Sequence, residues 1–267
     1  MSSISADRAR LSALEHENLI EAWSGIAARV PGGIAWRQDG VAALLTGMGV
    51  RLFNQILVQD EAATEAALAA AVALARSRSA PWVVNLRVGD DDRAAAMAAR
   101  LGLVCATSDA WMPALALSDA ASAGKGHGHL PAGLEIVRAV DAAVVADHAQ
   151  VAAEAFGMPE DMVHLVLGPE AWLQPDVALY TGYLDGAPVV AGLGLRTGST
   201  IGVYNIATVE AARRRGYGEA ITRRVIADGV AAGATVAILQ SSAMGRATYE
   251  RIGFVLVAEY SGWVEPA

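Results

Sequence analysis

Residues 205–225 read NIATVEAARRRGYGEAITRRV. An apolar run ending at Val209 gives way to three arginines, Arg213 to Arg215, and then to Gly216-Tyr217-Gly218. Beyond the glycines, Ile221 and Val225 recur at helical spacing. The chain as a whole is acidic, with a formal net charge of −8, so this cluster of positive charge stands against the average. It sits where a helix is expected to begin. The first N–H groups of a helix have no intrahelical acceptors, and the helix dipole adds positive potential there. Glycines let an anion reach the main chain, and arginines donate in pairs. The stretch therefore reads as a phosphate or pyrophosphate site between a strand and a helix. A Walker loop would need GxxxxGK[ST], which is absent. A dinucleotide loop would need a third glycine, where Glu219-Ala220-Ile221 stands instead.

Bulk properties narrow the class. With 267 residues, of which 54% are apolar, the chain is long enough for one large or two ordinary folded domains. No long unbroken apolar run predicts a spanning helix, and the opening MSSISADRARL lacks a signal pattern, so a cytoplasmic protein without membrane association is expected. The acidic balance argues against general nucleic-acid binding. A single cysteine, Cys105, excludes an internal disulfide framework and a cysteine metal cluster; flanked by Leu103, Val104 and Ala106, it reads as a small buried apolar side chain. Ser118–Gly133 is rich in Gly, Ala and Ser and reads as a linker. Its His127 and His129 lack a third ligand, so no metal site is expected.

The rest of the chain shows the same order of parts twice. In the second half a helix is predicted over 141–156, followed by strands over 177–184 and 188–195 around the turn Asp185-Gly186. A strand over 201–209, the basic loop and a helix stopping near Gly233 come next. A strand over 235–239, a short helix over 245–251 closed by Gly253, and strands over 254–264 complete it. In the first half Leu19, Trp23, Ile26 and Val30 form a helix face. Strands over 33–37, 41–46 and 51–58, a helix over 62–75, a strand over 82–88, a helix over 93–100 and closing strands near Ala114 follow. RLFNQILV (51–58) lines up with GVYNIATV (202–209), and Arg100-Leu-Gly-Leu with Arg251-Ile-Gly-Phe. Asn54 to Gly102 and Asn205 to Gly253 are each 48 positions apart, which argues for an internal duplication.

Arg213-x-x-Gly216-x-Gly218 and, downstream, Tyr249-Glu-Arg-Ile-Gly253-Phe254 make the second half resemble the GNAT superfamily of acetyl-CoA-dependent N-acetyltransferases, over about Leu134 to Val264. The first half resembles a second copy without the signature, with Gln59 to Glu65 in place of the loop and Ala98 in place of Tyr249. The expected fold is α/β (α+β): two tandem GNAT-like domains, each a mixed, mostly antiparallel sheet flanked by helices. The expected boundaries are 1–120, a linker over 121–133, and a catalytic domain over 134–267.

The resemblance implies that the main chain at Ala207, Thr208 and Val209 meets the pantetheine arm of acetyl-CoA. It implies that Arg213, Arg214, Arg215, Gly216, Tyr217, Gly218 and Glu219 form the pyrophosphate loop. A neutral amine attacks the thioester, a strand amide stabilises the oxyanion, and Tyr249 protonates the leaving thiolate. A phenol, with an ordinary pKa of about 10, suits a thiolate of similar basicity. The strand IGVYNIATV carries no carboxylate, unlike that of several family members. The base is then a water or Glu154, and Asn205 is a candidate for orienting substrate or water. Phe156, Met158, Trp172 and Tyr183 are candidates for the acceptor pocket. The expected partner is a small-molecule amine, the expected state a monomer or homodimer. The alternatives are an acyl-CoA-binding sensor without turnover and a protein-lysine acetyltransferase.

Overall fold

Two Asp-Gly pairs set the hairpins from which the sheets grow. Asp39-Gly40 and Asp185-Gly186 both hold positive φ, at 42° and 74° and at 50° and 80°. Two successive left-handed residues make a turn whose twist matches that of antiparallel strands. Gln38 accordingly faces Val41 and Leu184 faces Ala187. In the computed structural model residues 2–106, 113–125, 130–167 and 174–266 are described.

Along the chain the elements are α1 (Ser2–Arg29), β1 (Ile34–Gln38), β2 (Val41–Leu45), β3 (Asn54–Val58), α2 (Glu65–Arg76), β4 (Val83–Arg87), α3 (Asp92–Arg100), β5 (Val104–Ala106) and β6 (Ala114–Leu117). Then come α4 (Ala120–Lys125), β7 (Leu134–Arg138), α5 (Ala142–Phe156), α6 (Glu160–Leu167), β8 (Val177–Leu184), β9 (Ala187–Thr197) and β10 (Thr200–Thr208). The chain closes with α7 (Tyr217–Ala231), β11 (Val236–Gln240), α8 (Arg246–Ile252), β12 (Val255–Ala258) and β13 (Tyr260–Val264). The strands form two mixed sheets, ordered β1-β2-β3-β4-β13-β5 and β12-β6-β11-β10-β9-β8-β7. Both are flanked by helices, as the sequence predicts.

The two compact units are not the two contiguous halves. One comprises Met1–Asn18 with Leu115–Val255, the other Leu19–Ala114 with Leu256–Ala267. The expected boundaries at 120 and 134 fail because strands are exchanged. β6 comes from the first half yet lies between β11 and β12, while β13 comes from the second half yet lies between β4 and β5. Without the exchanged strand each sheet would carry an open slot of unpaired main-chain groups. The linker expectation also changes, since Ala120–Lys125 is helical and packs against α7.

In the unit of the six-stranded sheet, Val41, Ala43, Leu45, Ile56, Val58 and Val84 meet Leu68 and Val72 of α2 and Met97 of α3 in one core. Cys105 is exposed, contrary to the buried reading. It lies on β5, at the outer edge of this sheet, where no further strand covers it among the described residues. In the unit of the seven-stranded sheet, α7 buries Ile221, Val225 and Ile226 and packs against β9 and β10. Fully burying Ile221 contributes roughly 2–3 kcal/mol. Helix α5 starts on Asp141, whose side chain accepts the Val144 N–H, and stops at Gly157 with φ 63°. Its buried Val145, His148, Ala149 and Ala152 put one imidazole among apolar neighbours.

Candidate active site

Strand β10 has a different partner along each part of its length. It runs antiparallel to β9 from Thr200 to Thr208, pairing Thr200 with Thr197 and Thr208 with Val190. Its parallel pairing with β11 covers Thr200 to Gly202 and ends there. Beyond Gly202 the two strands fork, and residues 203–208 have no strand partner on that edge among the described residues. The equivalent pair in the other unit stays closed. Gln55 to Leu57 of β3 pair with Val83 to Asn85 of β4, and β3 ends one residue later. The Asn85 amide also donates to Gln55 Oε1 at 2.9 Å. Main-chain groups at an open fork need a partner; a closed pair has none to offer.

A bulge sits at the fork. Tyr204 faces Leu193 and Ala207 faces Ala191, so Asn205 and Ile206 share one opposing residue, Gly192. Asn205 takes φ 53°, a left-handed conformation that few residues other than Gly adopt and that Asn tolerates best. Its side-chain nitrogen lies 2.6 Å from His148 Nε2. His148 Nδ1 lies 3.0 Å from the Tyr180 carbonyl. A carbonyl only accepts, so Nδ1 carries the proton and Nε2 accepts from Asn205. Burial lowers the His148 pKa to about 4, against the opposing effect of the Tyr180 hydrogen bond, so the ring is neutral at neutral pH.

On the preceding residue, the Tyr204 hydroxyl donates to Asn18 Oδ1 at 2.7 Å. The Asn18 amide donates to the Leu195 carbonyl at 3.1 Å and to Thr197 Oγ1 at 2.8 Å. Burial, with Glu15 nearby, pushes the Tyr204 phenol well above its usual range. The Gln240 amide, at the end of β11, donates to Glu15 Oε1, and Glu15 is fully buried. The middle turns of α1 thus bring a carboxylate and an amide to the fork from far away in sequence. None of His148, Asn18, Glu15 and Tyr204 was singled out as a site residue from the sequence. The available signal was polar residues on buried helix faces: Ser12, Glu15 and His16 alongside Leu11 and Leu19 in α1, and His148 in α5.

The basic loop follows β10. Val209 donates its N–H to the Val189 carbonyl at 3.1 Å, and a 3-10 turn over Glu210–Ala212 leads into the arginines. Arg214 and Gly216 take φ 63° and 81°. A Cβ built on Gly216 would meet Pro131 Cγ at 3.7 Å and nothing nearer, so glycine is needed there for its conformation and the space in front is open. No side chain caps α7, and the N–H groups of Tyr217, Gly218 and Glu219 lack intrahelical acceptors. In the other unit the matching helix α2 is capped by Thr64, whose side chain accepts the Ala67 N–H. That helix end is closed to an anion; this one is open.

The three arginines divide by role. Arg213 turns inward, donating from Nε to the Thr208 carbonyl and from a terminal nitrogen to the Ala155 carbonyl, each at 3.1 Å. It ties the loop to β10 and α5. Arg214 and Arg215 are exposed. The Glu219 carboxylate accepts from Arg223 at 2.9 Å and lies 3.6 Å from Arg251, so its charge is offset locally. Tyr249 is buried on α8, edge-on to Phe254 with ring centroids 6.1 Å apart. Burial alone pushes its phenol up to about 12.

Other expected site residues are not brought together. Glu154 is exposed on the last turn of α5. Phe156 is 50% exposed, and Met158 packs on the core of Ala149, Ala152, Val163 and Leu167. The Tyr183 hydroxyl donates to Asp147 at 2.7 Å, which accounts for it structurally. Trp172, His127 and His129 lie outside the described residues. Among the described residues no cluster of His, Cys, Asp and Glu suits a metal ion, and no helix is long and apolar enough to cross a membrane.

Residues 134–240 match the family model described as the acetyltransferase (GNAT) domain. This segment belongs to the GNAT acetyltransferases. The GNAT match begins at β7 and ends with β11, so it spans the fork, the bulge and the basic loop. No curated protein matches the chain in sequence. Among solved structures, a GCN5-related N-acetyltransferase from Kribbella flavida is 18% identical, with a TM-score of 0.65 over 91% of this chain and 95% of that one. A functionally unknown conserved protein from Staphylococcus epidermidis is 16% identical, with a TM-score of 0.61 over 87% and 93%. A tandem GNAT protein from the clavulanic acid biosynthesis pathway is 12% identical, with a TM-score of 0.57 over 93% and 95%. At these identities the likeness is one of fold. It covers both sheets, and the family's general chemistry is acetyl transfer, normally from acetyl-CoA.

Proposed function

We propose that the chain is an N-acetyltransferase that moves the acetyl group of acetyl-CoA to a primary amine of a small molecule. The observation that carries this reading is the pairing of an open fork with an uncapped, arginine-flanked helix start in one unit, where the other unit has a closed strand pair and a capped helix. The residues present fit the cosubstrate. The edge of β10 left free beyond the fork, as far as the Thr208 N–H, suits an amide of the pantetheine arm; Val209 already donates to Val189, and the Thr208 carbonyl accepts from Arg213. The amides of Tyr217, Gly218 and Glu219, with Arg214 and Arg215 beside them, suit a pyrophosphate.

In the reaction the neutral amine nitrogen bonds to the thioester carbon and the C–S bond breaks. A β10 amide at the fork donates to the developing oxyanion. Tyr249 gives its proton to the departing thiolate. Its high pKa keeps it protonated, and no hydrogen bond among the described residues holds its hydroxyl. The ammonium proton leaves to water, and the Tyr249 phenolate takes a proton back from water. Glu154 is too exposed for an efficient base, and neutral His148 already uses both ring nitrogens.

The test is thiol release from acetyl-CoA across a panel of small amines, polyamines and lysine peptides, beside calorimetric binding of acetyl-CoA. Turnover with a small amine, and loss of binding in Gly216→Glu, are expected. Binding without turnover on any acceptor overturns the enzyme reading in favour of an acyl-CoA sensor. Turnover on peptides alone overturns the small-molecule assignment.

A further inference from the structure

We propose that His148 is a positioning residue for this site: it clamps Asn205 in the left-handed bulge and so holds the β10 edge open. This rests on the acetyltransferase reading above.

Three observations converge. First, the bulge occurs where β10 has just left β11 and shares Gly192 between two residues. An extra residue at that point turns the following main-chain groups and raises the local twist, which keeps β10 from zipping further along β11. Second, the bulge residue is an asparagine at φ 53°, a conformation that needs outside support in any residue with a side chain. The support is a fully buried imidazole with both nitrogens engaged, Nδ1 to the Tyr180 carbonyl at 3.0 Å and Nε2 to the Asn205 amide at 2.6 Å. The chain of contacts joins β8, α5 and β10 in one line. Third, the asparagine aligned with it in sequence behaves otherwise. Asn54 takes φ −133°, and its amide donates to the carbonyls of Met48, Val50 and Pro81. It has no histidine partner, and its strand stays paired with β4. The left-handed asparagine, its imidazole and the fork occur together in one unit and are jointly missing from the other.

His148 touches neither reacting atom in this scheme; it acts through the Asn205 backbone. The discriminating variants are Asn205→Ala, Asn205→Gly and His148→Leu, made in the full-length protein, with the double variant His148→Leu/Asn205→Gly. The measurements are calorimetric binding of acetyl-CoA and hydrogen exchange of the amides of residues 203–208. Asn205→Ala and His148→Leu are expected to weaken acetyl-CoA binding about tenfold and to speed exchange over 203–208. Glycine adopts the left-handed conformation without help, so Asn205→Gly should bind at least fivefold tighter than Asn205→Ala. The double variant should likewise recover most of the loss in His148→Leu. Equal affinities for Asn205→Ala and Asn205→Gly, or no rescue in the double variant, overturn the clamp. If His148→Leu does not fold, the Asn205 pair still decides, because it leaves His148 in place. A wild-type protein that binds no acetyl-CoA overturns the acetyltransferase reading and the clamp's functional role with it.

Discussion

The three arginines of the loop look equivalent in sequence but should fail differently when removed. Arg213 spends its guanidinium on two carbonyls, those of Thr208 and Ala155, each at 3.1 Å. Hydrogen bonds from a charged donor contribute about 1.5–3 kcal/mol each. Arg213 is half-buried, so water can replace part of that, and Arg213→Ala should cost about 2 kcal/mol. For a unit of this size one kcal/mol moves Tm by about 2–4 °C, so the melting point should fall by about 4–8 °C. Arg213→Lys should recover less than half, because a single ammonium cannot reach both carbonyls as a planar fork does. Arg214 and Arg215 are exposed and act through charge. At roughly 5 Å in water each contributes about 0.8 kcal/mol per unit of anion charge, so removing either should weaken acetyl-CoA binding about fourfold per unit of anion charge at low salt. The effect should shrink as salt rises, with Tm unchanged. Differential scanning fluorimetry and calorimetry at two salt concentrations read both quantities. An Arg213→Ala protein that melts like wild type, or an Arg214→Ala protein that loses several degrees, refutes the division of roles.

Tyr249→Phe should lower kcat by about a hundredfold or more while acetyl-CoA affinity changes less than twofold and Tm holds, since the hydroxyl has no hydrogen bond to lose among the described residues; equal rates would remove Tyr249 as the acid. The His148 pKa of about 4 lies below the ordinary 6.5, so between those values the unfolded chain binds a proton that the folded one does not. His148 therefore contributes its stability above about pH 6.5 and loses it as pH falls toward 4, by about 1.4 kcal/mol per pH unit. Urea midpoints at pH 7 and pH 5 should fall further apart in wild type than in His148→Leu; identical shifts in the two would show that His148 titrates normally. A fragment of residues 134–267 lacks β6 and all of α1, so it should be insoluble or molten by circular dichroism. A cooperative melt from that fragment would contradict the strand exchange.

Much of this was legible locally. Strand β8 lies over 177–184 as predicted, Gly253 ends its helix with φ 114°, and the Asp185-Gly186 turn sits where the sequence puts it. Period and turn chemistry act between near neighbours, so one chain suffices to read them. The basic loop was legible too, because a strand, a glycine-rich turn and a helix start are consecutive. Duplication could be argued from spacing, yet its two landmarks fared differently. Gly102 and Gly253 both end helices with positive φ, whereas Asn54 and Asn205 sit in unlike environments.

The elements, the basic loop and the family likeness can be read from consecutive residues, because each depends on residues close together along the chain. Which strand completes which sheet emerges only in three dimensions, since an apolar strand fits either slot and its partner lies more than a hundred residues away. The fold also ties Arg213 to the Thr208 and Ala155 carbonyls, leaves Glu154 exposed, and bonds His148 to Asn205 and Asn18 to Tyr204. The hydrogen bonds span 57 positions for His148 and Asn205 and 186 for Asn18 and Tyr204. Such contacts leave no local pattern, because a buried polar side chain on a helix face looks the same in sequence whether it is solvated, idle or holding a strand apart.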